Sequence, residues 1–477
     1  MSNVTKNSLD FLFHPHSIAL AGITVADPSH WTRVFLDALL EFKFERPIYL
    51  VNPKGGEIGE LKVYPRLEDI PDAVDYVIST VPAKAGPGLI EECARKGVKA
   101  IHFCTAGFAE TDEEEGVRLE AQLVKLARTT GIRLIGPNCM GIYCPQSRIS
   151  FHTPFPKESG SVGVISQSGG NALSIVSQVR WRGVRFSKMI SYGNACDLNE
   201  SDFLEYLAAD DDTKIIALYI EGVKDGRRFR QALQKAAREK VVVLLKGGAT
   251  EGGARAAAGH TGSLAGSDAT WDSLCQQLGV IRVRSLEELV DTLVTLVFMP
   301  LPRGRRVALI GCGGGASVLV ADDFEKRGLI IPPLPQELRN QIREYTQIAG
   351  NIFRNPIDYS QSMREIDNVV KTVGIISRWE DIDSVVGFMV PSLLSPKVMP
   401  LLFQMVDGML EAHRASSKPM AMVIVPGMLP EEAQNTFPLI QKCVDSGLTV
   451  YSSYAGAAVA INLVLSHNEN RLAKLGT

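Results

Sequence analysis

Residues 160–171 read GSVGVISQSGGN, an apolar stretch that runs directly into a serine and two glycines. The apolar part, 160–165, predicts a buried strand, and the segment from Ala172 to Arg182 predicts a helix. Small residues between a strand and a helix let the backbone come close to a ligand, and the first N–H groups of the helix then face that ligand. The candidate phosphate-binding turn consists of Ser168, Gly169 and Gly170.

The same layout of strand, turn and helix recurs along the whole chain. Short apolar strands that alternate with helical segments predict βαβ units and parallel sheets. A strand at Arg306–Ile310 enters a glycine triplet in the way that the strand at 160–165 enters its turn, which suggests two similar folds. With a Pro- and Ser-rich break near residues 145–160, the sequence predicts an α/β protein of three domains. The predicted domains are residues 1–150, 151–300 and 301–477.

A histidine lies in a second stretch of small residues. Residues 246–271 read KGGATEGGARAAAGHTGSLAGSDATW and follow the apolar strand 241–245. We expect this stretch to form a glycine-rich loop with His260 near its centre. A neutral imidazole is a nucleophile near pH 7, so His260 could carry a phosphoryl group. The stretch alone leaves the alternative open that the loop is merely flexible and His260 has no role.

A carboxylate directly follows the strand between these two stretches. The strand is Ile215–Ile220, and the next residue is Glu221. Right-handed crossovers place the carboxyl ends of parallel strands at one edge, where ligands bind. We therefore expect Ser168, Asn194, Glu221 and the His260 segment at the same edge. The alternative is that Glu221 is simply the solvated end of its strand.

The first 150 residues show a similar edge. Turn residues follow the predicted strands at 17–22, 47–51, 74–80 and 100–104. The residues expected along this edge are Gly22, Lys54, Val81, Pro82, Thr105 and Asn138. The layout favours nucleotide binding, but Gly22 does not begin a GxGxxG motif, so an NAD-dependent oxidoreductase is weakly supported. Tight turns without a ligand are the alternative for each glycine.

Composition excludes several classes of protein. The formal net charge of −3 gives no basic field for nucleic acid, and no apolar run reaches the ~20 residues that span a bilayer. The start of the chain shows no secretory signal, which favours the cytoplasm. The eight cysteines include no CxxC pair, so we expect free, mostly buried thiols and no metal site.

Seven motifs together resemble the nucleoside-diphosphate-forming acyl-CoA synthetases, the superfamily of succinyl-CoA synthetase and ADP-forming acetyl-CoA synthetase. They occur in the order of that family and cover almost the whole chain. The motifs are YLVNPKG (49–55), GPNC (136–139), SQSGG (166–170), YGN (192–194), YIEG (219–222), HTGSLAG (260–266) and NPID (355–358). The resemblance implies a Rossmann-like CoA-binding domain followed by two flavodoxin-like α/β domains, as in the α subunit of the ADP-forming acetyl-CoA synthetases.

The resemblance also implies an activity and roles for residues. The family interconverts acyl-CoA, ADP and phosphate with the acid, CoA and ATP, through an acyl phosphate and a phosphohistidine. His260 would be the phosphorylated residue, and Glu221 would orient it, as a carboxylate fixes an imidazole tautomer. The other predicted contacts fall into two groups. Ser168, Gly169 and Gly170 would hold the phosphoryl group, and Gly22, Lys54, Val81, Pro82 and Thr105 would lie along CoA.

Two departures from the family pattern matter. The first turn reads Gly22-Ile23-Thr24, where the family usually has a sequence closer to Gly-Ala-Ser. The three predicted domains also use up the length, which leaves no place for the ATP-grasp module of the family. We therefore expect a separate ATP-grasp β subunit that binds ATP or ADP with Mg²⁺, in an α2β2 heterotetramer. A non-catalytic CoA- or acyl-CoA-binding sensor or scaffold is the alternative.

Overall fold

The computed structural model describes residues 9–261, 267–347, 349–360, 365–391, 397, 399–427 and 429–475, with all of their side chains except those of 258–261, 474 and 475. The contacts within the chain divide it into two compact units. The first consists of Met1–Arg180 with Arg185–Arg284, and the second of Trp181–Val184 with Ser285–Thr477. Two sheets lie in the first unit and one in the second. The division into domains at residues 150 and 300 stays a prediction.

The first sheet has the order β3-β4-β2-β1-β5-β6-β7. Its strands are β1 (Ile18–Ala21), β2 (Ile48–Val51), β3 (Gly56–Ile58), β4 (Leu61–Tyr64), β5 (Tyr76–Ser79), β6 (Ala100–Phe103) and β7 (Arg133–Ile135). All neighbours pair in parallel except the edge strand β3, which runs antiparallel to β4. Without β3, the order counted along the chain is 3-2-1-4-5-6, the Rossmann order.

The second sheet has the order β13-β12-β11-β9-β10-β8. Its strands are β8 (Gly141–Tyr143), β9 (Ser159–Ser166), β10 (Phe186–Ser191), β11 (Ile215–Ile220), β12 (Val241–Lys246) and β13 (Ile281–Val283). The edge strand β8 is antiparallel to β10, and the other neighbours are parallel. The five parallel strands have the order 2-1-3-4-5, which is the flavodoxin order.

The third sheet repeats this topology with the order β15-β16-β14-β17-β18-β19. Its strands are β14 (Val307–Gly311), β15 (Ile352–Phe353), β16 (Ile357–Asp358), β17 (Ser384–Met389), β18 (Met420–Ile424) and β19 (Thr449–Tyr451). Leaving out the antiparallel edge strand β15, the order is again 2-1-3-4-5. The predicted α/β class, with one Rossmann-like and two flavodoxin-like parts, is confirmed.

Helices connect the strands and cover the sheets. In chain order they are α1 (Asp10–Phe13), α2 (Val34–Glu41), α3 (Gly86–Lys96), α4 (Glu114–Thr130), α5 (Gly169–Val179), α6 (Glu200–Ala209), α7 (Gly226–Glu239), α8 (Glu251–Thr261), α9 (Asp268–Leu278), α10 (Leu286–Phe298), α11 (Gly314–Lys326), α12 (Gln336–Arg343), α13 (Ile366–Ser377), α14 (Met399–Ala415), α15 (Pro430–Asp445) and α16 (Tyr454–Leu475). Single 3₁₀ turns lie at Trp31–Arg33, Leu67–Asp69, Ala83–Ala85, Ala109–Thr111, Pro145–Ser147 and Arg180–Arg182.

Burial explains why the sequence forms these elements. In β17, Val385 and Val386 point to opposite faces and both are fully buried, so a parallel strand covered on both sides needs a continuous apolar run. Helix α7 instead buries one stripe, with Phe229, Leu233 and Ala236 at helical spacing, and leaves its charged residues in solvent.

The expectation of a glycine-rich loop around His260 is wrong for residues 251–261, whereas residues 247–250 do form a loop. His260 lies in helix α8, which begins after Thr250. The Thr250 hydroxyl accepts a hydrogen bond from the Gly253 N–H at 3.1 Å, which caps the helix. The run of alanines at 254–258, broken only by Arg255, supplies strong helix formers that outweigh the glycines. Residues 262–266 of the HTGSLAG motif lie outside the described residues.

Other features of the composition can be checked directly. All eight cysteines are free thiols and five are buried, which confirms that expectation. Over the described part of the chain, no helix is long and apolar enough to span a bilayer. Within the same residues, no three His, Cys, Asp or Glu side chains are grouped so that they could hold a metal ion.

Candidate functional site

The carboxyl ends of β9 and β11 form the centre of the candidate site. The two strands are parallel neighbours, and Ser166 at the end of β9 pairs with Tyr219 of β11. The chain continues from β9 to β10 on one side, whereas β11, β12 and β13 extend the sheet on the other. Ligands of doubly wound sheets bind at such a switch point, outside the carboxyl ends of the strands. The turns that carry Ser168 and Glu221 are therefore neighbours at this point.

Ser168 begins helix α5 as its N-cap. Its backbone is extended, with φ −105° and ψ 129°, and its hydroxyl accepts a hydrogen bond from the Asn171 N–H at 3.4 Å. The first N–H groups of a helix have no partner within the helix, so they remain available to an anion. A side chain on Gly169 would lie 2.8 Å from Cγ of Met140, whereas one on Gly170 would meet only the Ser168 hydroxyl, at 3.9 Å. The turn is thus packed on one side and open on the other.

Glu221 is buried, with 5% of its surface exposed, so it is not the solvated end of β11. The Tyr219 hydroxyl donates a hydrogen bond to its carboxylate at 3.1 Å. Burial, together with the nearby Glu221 charge, raises the pKa of Tyr219 above its usual range, so the hydroxyl keeps its proton and remains a donor. The carboxylate is therefore held in place by an uncharged group on its own strand.

Sequence reasoning did not assign a role to Gln167, the residue before Ser168. Its side chain is buried, and Oε1 accepts hydrogen bonds from the N–H groups of Glu221 at 2.8 Å and Gly222 at 3.1 Å. Its own N–H donates to the Tyr219 carbonyl at 3.0 Å. Gln167 is part of the SQSGG motif, but its hydrogen-bond partner could not be predicted, because that partner depends on which strand lies beside β9.

The end of β12 completes the central part of the site. Lys246 pairs in register with Ile220, and its ammonium group lies 5.5 Å from the centre of the Trp271 ring. Burial lowers the pKa of Lys246, and the charge of Glu221 opposes that shift. Gly247 follows, and a Cβ on it would lie 2.6 Å from the Tyr219 hydroxyl. A larger residue at this position would press on the far end of the Tyr219 side chain.

Helix α8 carries His260 away from this turn. Its backbone lies beside the 3₁₀ turn Ala109–Thr111, which follows β6 of the first sheet. The side chain of His260 is outside the described part of the structure, so its distance to Glu221 or Ser168 is not defined. Helix α8 follows the carboxyl end of β12, and the pairing of His260 with Glu221 stays a prediction.

The first sheet has its own switch point, between β1 and β5. Gly22 follows β1 with φ +91°, and a Cβ on it would lie 2.7 Å from the Val81 nitrogen. Thr105, after β6, donates from its hydroxyl to the Val81 carbonyl at 2.8 Å. Val81 thus lies against both Gly22 and Thr105, and the exposed Pro82 continues the same edge. Lys54 is also exposed, in the turn after β2, and its backbone N–H donates to Asn52.

Polar bonds connect the two sheets at these edges. Nδ2 of Asn194, in the turn after β10, donates to the carboxylates of Glu110 at 2.5 Å and Glu120 at 2.9 Å. Glu110 in turn accepts from the Gly107 N–H at 2.5 Å, in the segment that follows Thr105. The side chain of Asn194 therefore joins the two parts of the first unit and does not point to Ser168 or Glu221 as a ligand-binding group would.

A separate cavity of about 590 Å³ lies elsewhere in the first unit. It is lined by charged groups that include Asp10, Lys188 and Asp210, and Lys188 forms an ion pair with Asp210 at 2.9 Å. Asp210 lies before β11, so this cavity is at the amino ends of the strands. It contains none of the predicted site residues.

Comparison with known proteins agrees with the two kinds of sheet. A family model for a CoA binding domain matches residues 16–145, and one for the succinyl-CoA ligase like flavodoxin domain matches residues 159–296. The α subunit of acetate–CoA ligase (ADP-forming) II of Pyrococcus furiosus is 34% identical over 97% of this chain and 98% of its own length. The chain belongs to the family of ADP-forming acyl-CoA synthetases.

Other members of this synthetase family are matched over different shares of their length. The α subunit of acetate–CoA ligase (ADP-forming) I of P. furiosus is 37% identical over 74% of this chain and 76% of its own length. Acetate–CoA ligase (ADP-forming) I of Archaeoglobus fulgidus is 35% identical over 80% of this chain, but only 55% of that longer relative is matched. Among solved synthetases, the dinucleotide forming acetyl-coenzyme A synthetase 1 of Ca. Korarchaeum cryptofilum, in complex with phosphate and ADP, aligns with a TM-score of 0.81. The two chains are 31% identical, and the alignment covers 98% of this chain and 99% of the Korarchaeum chain.

Proposed function

We propose that this chain is the α subunit of an ADP-forming acid–CoA ligase with a phosphohistidine intermediate. Its family membership supports the overall reaction. The observation that carries the assignment of the site is that the Ser168 turn and the buried Glu221 lie on neighbouring strand ends at the switch point of the second sheet. In this proposal, CoA binds along Gly22, Val81 and Thr105, with Lys54 and Pro82 at the rim.

The proposed reaction has three steps. Phosphate attacks the thioester carbon of acyl-CoA, which breaks the C–S bond and gives an acyl phosphate and CoA. A ring nitrogen of His260 then attacks the phosphorus and releases the acid. Finally ADP takes the phosphoryl group to form ATP, and the imidazole is regenerated. The N–H groups at the start of α5, at Ser168–Gly170, would stabilise the phosphoryl oxygens, and Glu221 would offset the positive charge on the imidazole.

The nucleotide is proposed to bind to a second polypeptide. The two P. furiosus relatives are named subunit alpha, and the A. fulgidus relative, which is named without a subunit, has about half of its length outside the match. We propose that this polypeptide is an ATP-grasp β subunit in a cytoplasmic α2β2 assembly, with Mg²⁺ bound beside the nucleotide. The word alpha in the two P. furiosus names supports the existence of a partner subunit. The acid is not specified, because the names of the relatives include acetate, 4-hydroxybutyrate and feruloyl-CoA.

The test uses this chain assembled with an ATP-grasp subunit encoded nearby. The complex is incubated with MgCl₂ and ATP labelled on the γ-phosphate, and label that is lost in acid but stable in alkali is counted on the α chain. We expect label on wild type and none on His260→Asn. Glu221→Gln should take up label more slowly, by roughly 10- to 100-fold, because the imidazole loses its charged partner. His413→Asn and the exposed Glu239→Gln serve as matched controls and should behave as wild type.

Discharge of the label by a panel of acids with CoA would then identify the substrate. Label on the His260→Asn variant, or wild-type uptake by Glu221→Gln, would contradict the proposed roles. A wild-type complex that binds CoA but never takes up label would favour the non-catalytic sensor instead.

A further inference from the structure

We propose that Gln167 is a positioning residue that fixes Glu221 relative to the phosphate-binding turn. The inference rests on the proposed function and adds a residue to it. Gln167 is the residue immediately before Ser168, yet its side chain is directed at the turn after the neighbouring strand β11. It is therefore the direct connection between the two halves of the proposed phosphoryl site.

One oxygen makes this connection. Oε1 of Gln167 accepts the N–H of Glu221 at 2.8 Å and that of Gly222 at 3.1 Å, and only 3% of the residue is exposed. Because the N–H groups of Glu221 and Gly222 both point at this oxygen, the backbone orientation at Glu221 is fixed. The direction in which the Glu221 side chain leaves the backbone therefore depends on the Gln167 oxygen.

Further contacts close the network into a ring. The backbone N–H of Gln167 donates to the Tyr219 carbonyl, and the Tyr219 hydroxyl donates to the Glu221 carboxylate. The carboxylate is thus linked to Gln167 both through its own backbone N–H and through Tyr219.

Gly247 lies beside the turn, where an added Cβ would be 2.6 Å from the Tyr219 hydroxyl and 3.3 Å from Cγ of Glu221. Without the Gln167 acceptor, the N–H groups of Glu221 and Gly222 lose their shared partner, and the turn that carries the carboxylate is free to shift. Displacement of a reacting group by ~1 Å costs on the order of 100-fold in rate.

The experiment compares Gln167→Met, which keeps the shape without the acceptor, with Gln167→Glu, which keeps an acceptor for both N–H groups. Ser17→Ala is the matched control, because Ser17 is also buried and bonds two backbone groups, Ala73 O and Asp75 N, at the other end of the first sheet. In the assembled complex, Q167M should be phosphorylated by labelled ATP on the order of 100-fold more slowly than wild type, with an unchanged KM for CoA. Q167E should be phosphorylated at least tenfold faster than Q167M, and S17A should be phosphorylated at the wild-type rate.

Hydrogen exchange of the Glu221 and Gly222 amides provides a readout that does not depend on activity. Both should exchange faster in Q167M than in wild type or Q167E. If Q167M is phosphorylated at the wild-type rate, or if Q167E is as slow as Q167M, the positioning role is refuted while the proposed function stands. If wild type takes up no label although the two amides respond to Q167M, the proposed function fails and the structural link is real.

Discussion

Gly22→Ala tests whether the edge between β1 and β5 is the CoA site. Gly22 has a φ of +91°, in the left-handed region, and a Cβ there would lie 2.7 Å from the Val81 nitrogen and 2.9 Å from the Thr80 carbonyl carbon. Ordinary contact begins at 3.4 Å, so the turn after β5 must move by about 0.7 Å. The atoms in the way are backbone atoms, so rotation of a side chain cannot relieve the clash.

The expected loss in the free energy of unfolding of Gly22→Ala has two contributions. A left-handed φ costs an L-residue about 1–2 kcal/mol, and overpacking adds about 1–3 kcal/mol. Gly97→Ala is the matched control, because Gly97 ends α3 with φ +78° and has no atom within 4 Å of its added Cβ. We expect the left-handed φ to lower the free energy of unfolding of both variants. Overpacking should lower that of G22A by about 1–3 kcal/mol more.

The functional consequence is measured as the Kd for CoA in the assembled enzyme, with urea unfolding in parallel. If the shifted Val81 turn loses one hydrogen bond to a phosphate of CoA, about 1.5–3 kcal/mol of binding free energy is lost. That corresponds to a roughly 10- to 100-fold higher Kd for G22A, whereas G97A keeps the wild-type value. A G22A enzyme that is destabilised yet binds CoA as wild type does would refute the placement of CoA at this edge.

Two further predictions concern buried charges. Burial raises the pKa of the Glu200 carboxyl from 4.5 to about 7, so the folded state holds its proton more tightly and loses up to about 3 kcal/mol as pH rises from about 4.5 to 7. Glu200→Gln should remove this loss, so that its urea midpoint exceeds that of wild type at pH 8 but not at pH 4, and exposed Glu239→Gln should change neither. In the second unit, Arg182→Met should cost about 3–5 kcal/mol, because Arg182 is 3% exposed and pairs with buried Asp291 at 2.5 Å. Asp291→Leu added to R182M should restore most of that free energy of unfolding, and an additive further loss would contradict the pairing.

The strands were predictable because parallel sheets bury both faces. Ile215–Ile220 was predicted without error, and most other central strands agree within one or two residues, because each is a continuous apolar run. The hairpin of β3 and β4 was not predicted, since its residues are partly exposed and lack such a run. Helix α8 was not predicted for another reason: its three glycines are typical of a loop, but its four alanines favour a helix more strongly.

The site was predictable only as far as strand ends determine it. Ser168 and Glu221 could be placed at one edge because each directly follows a strand. That Glu221 is buried depends on Tyr219 and Gly247, which come from its own and a neighbouring strand. The role of Gln167 depends likewise on β11 lying beside β9, and short apolar strands do not encode their spatial order. For His260, the sequence predicts a role that the described residues leave untested.

The bond between Asn194 and the two glutamates has a consequence for how this architecture can change. One amide and two carboxylates, at 2.5 and 2.9 Å, join the two sheets of the first unit at the edge where both proposed ligands bind. Asn194 is only 2% exposed, so its substitution would leave the carboxylates of Glu110 and Glu120 without this donor. A single substitution at this joint can therefore weaken the connection between the two sheets without removing an apolar side chain from either hydrophobic core.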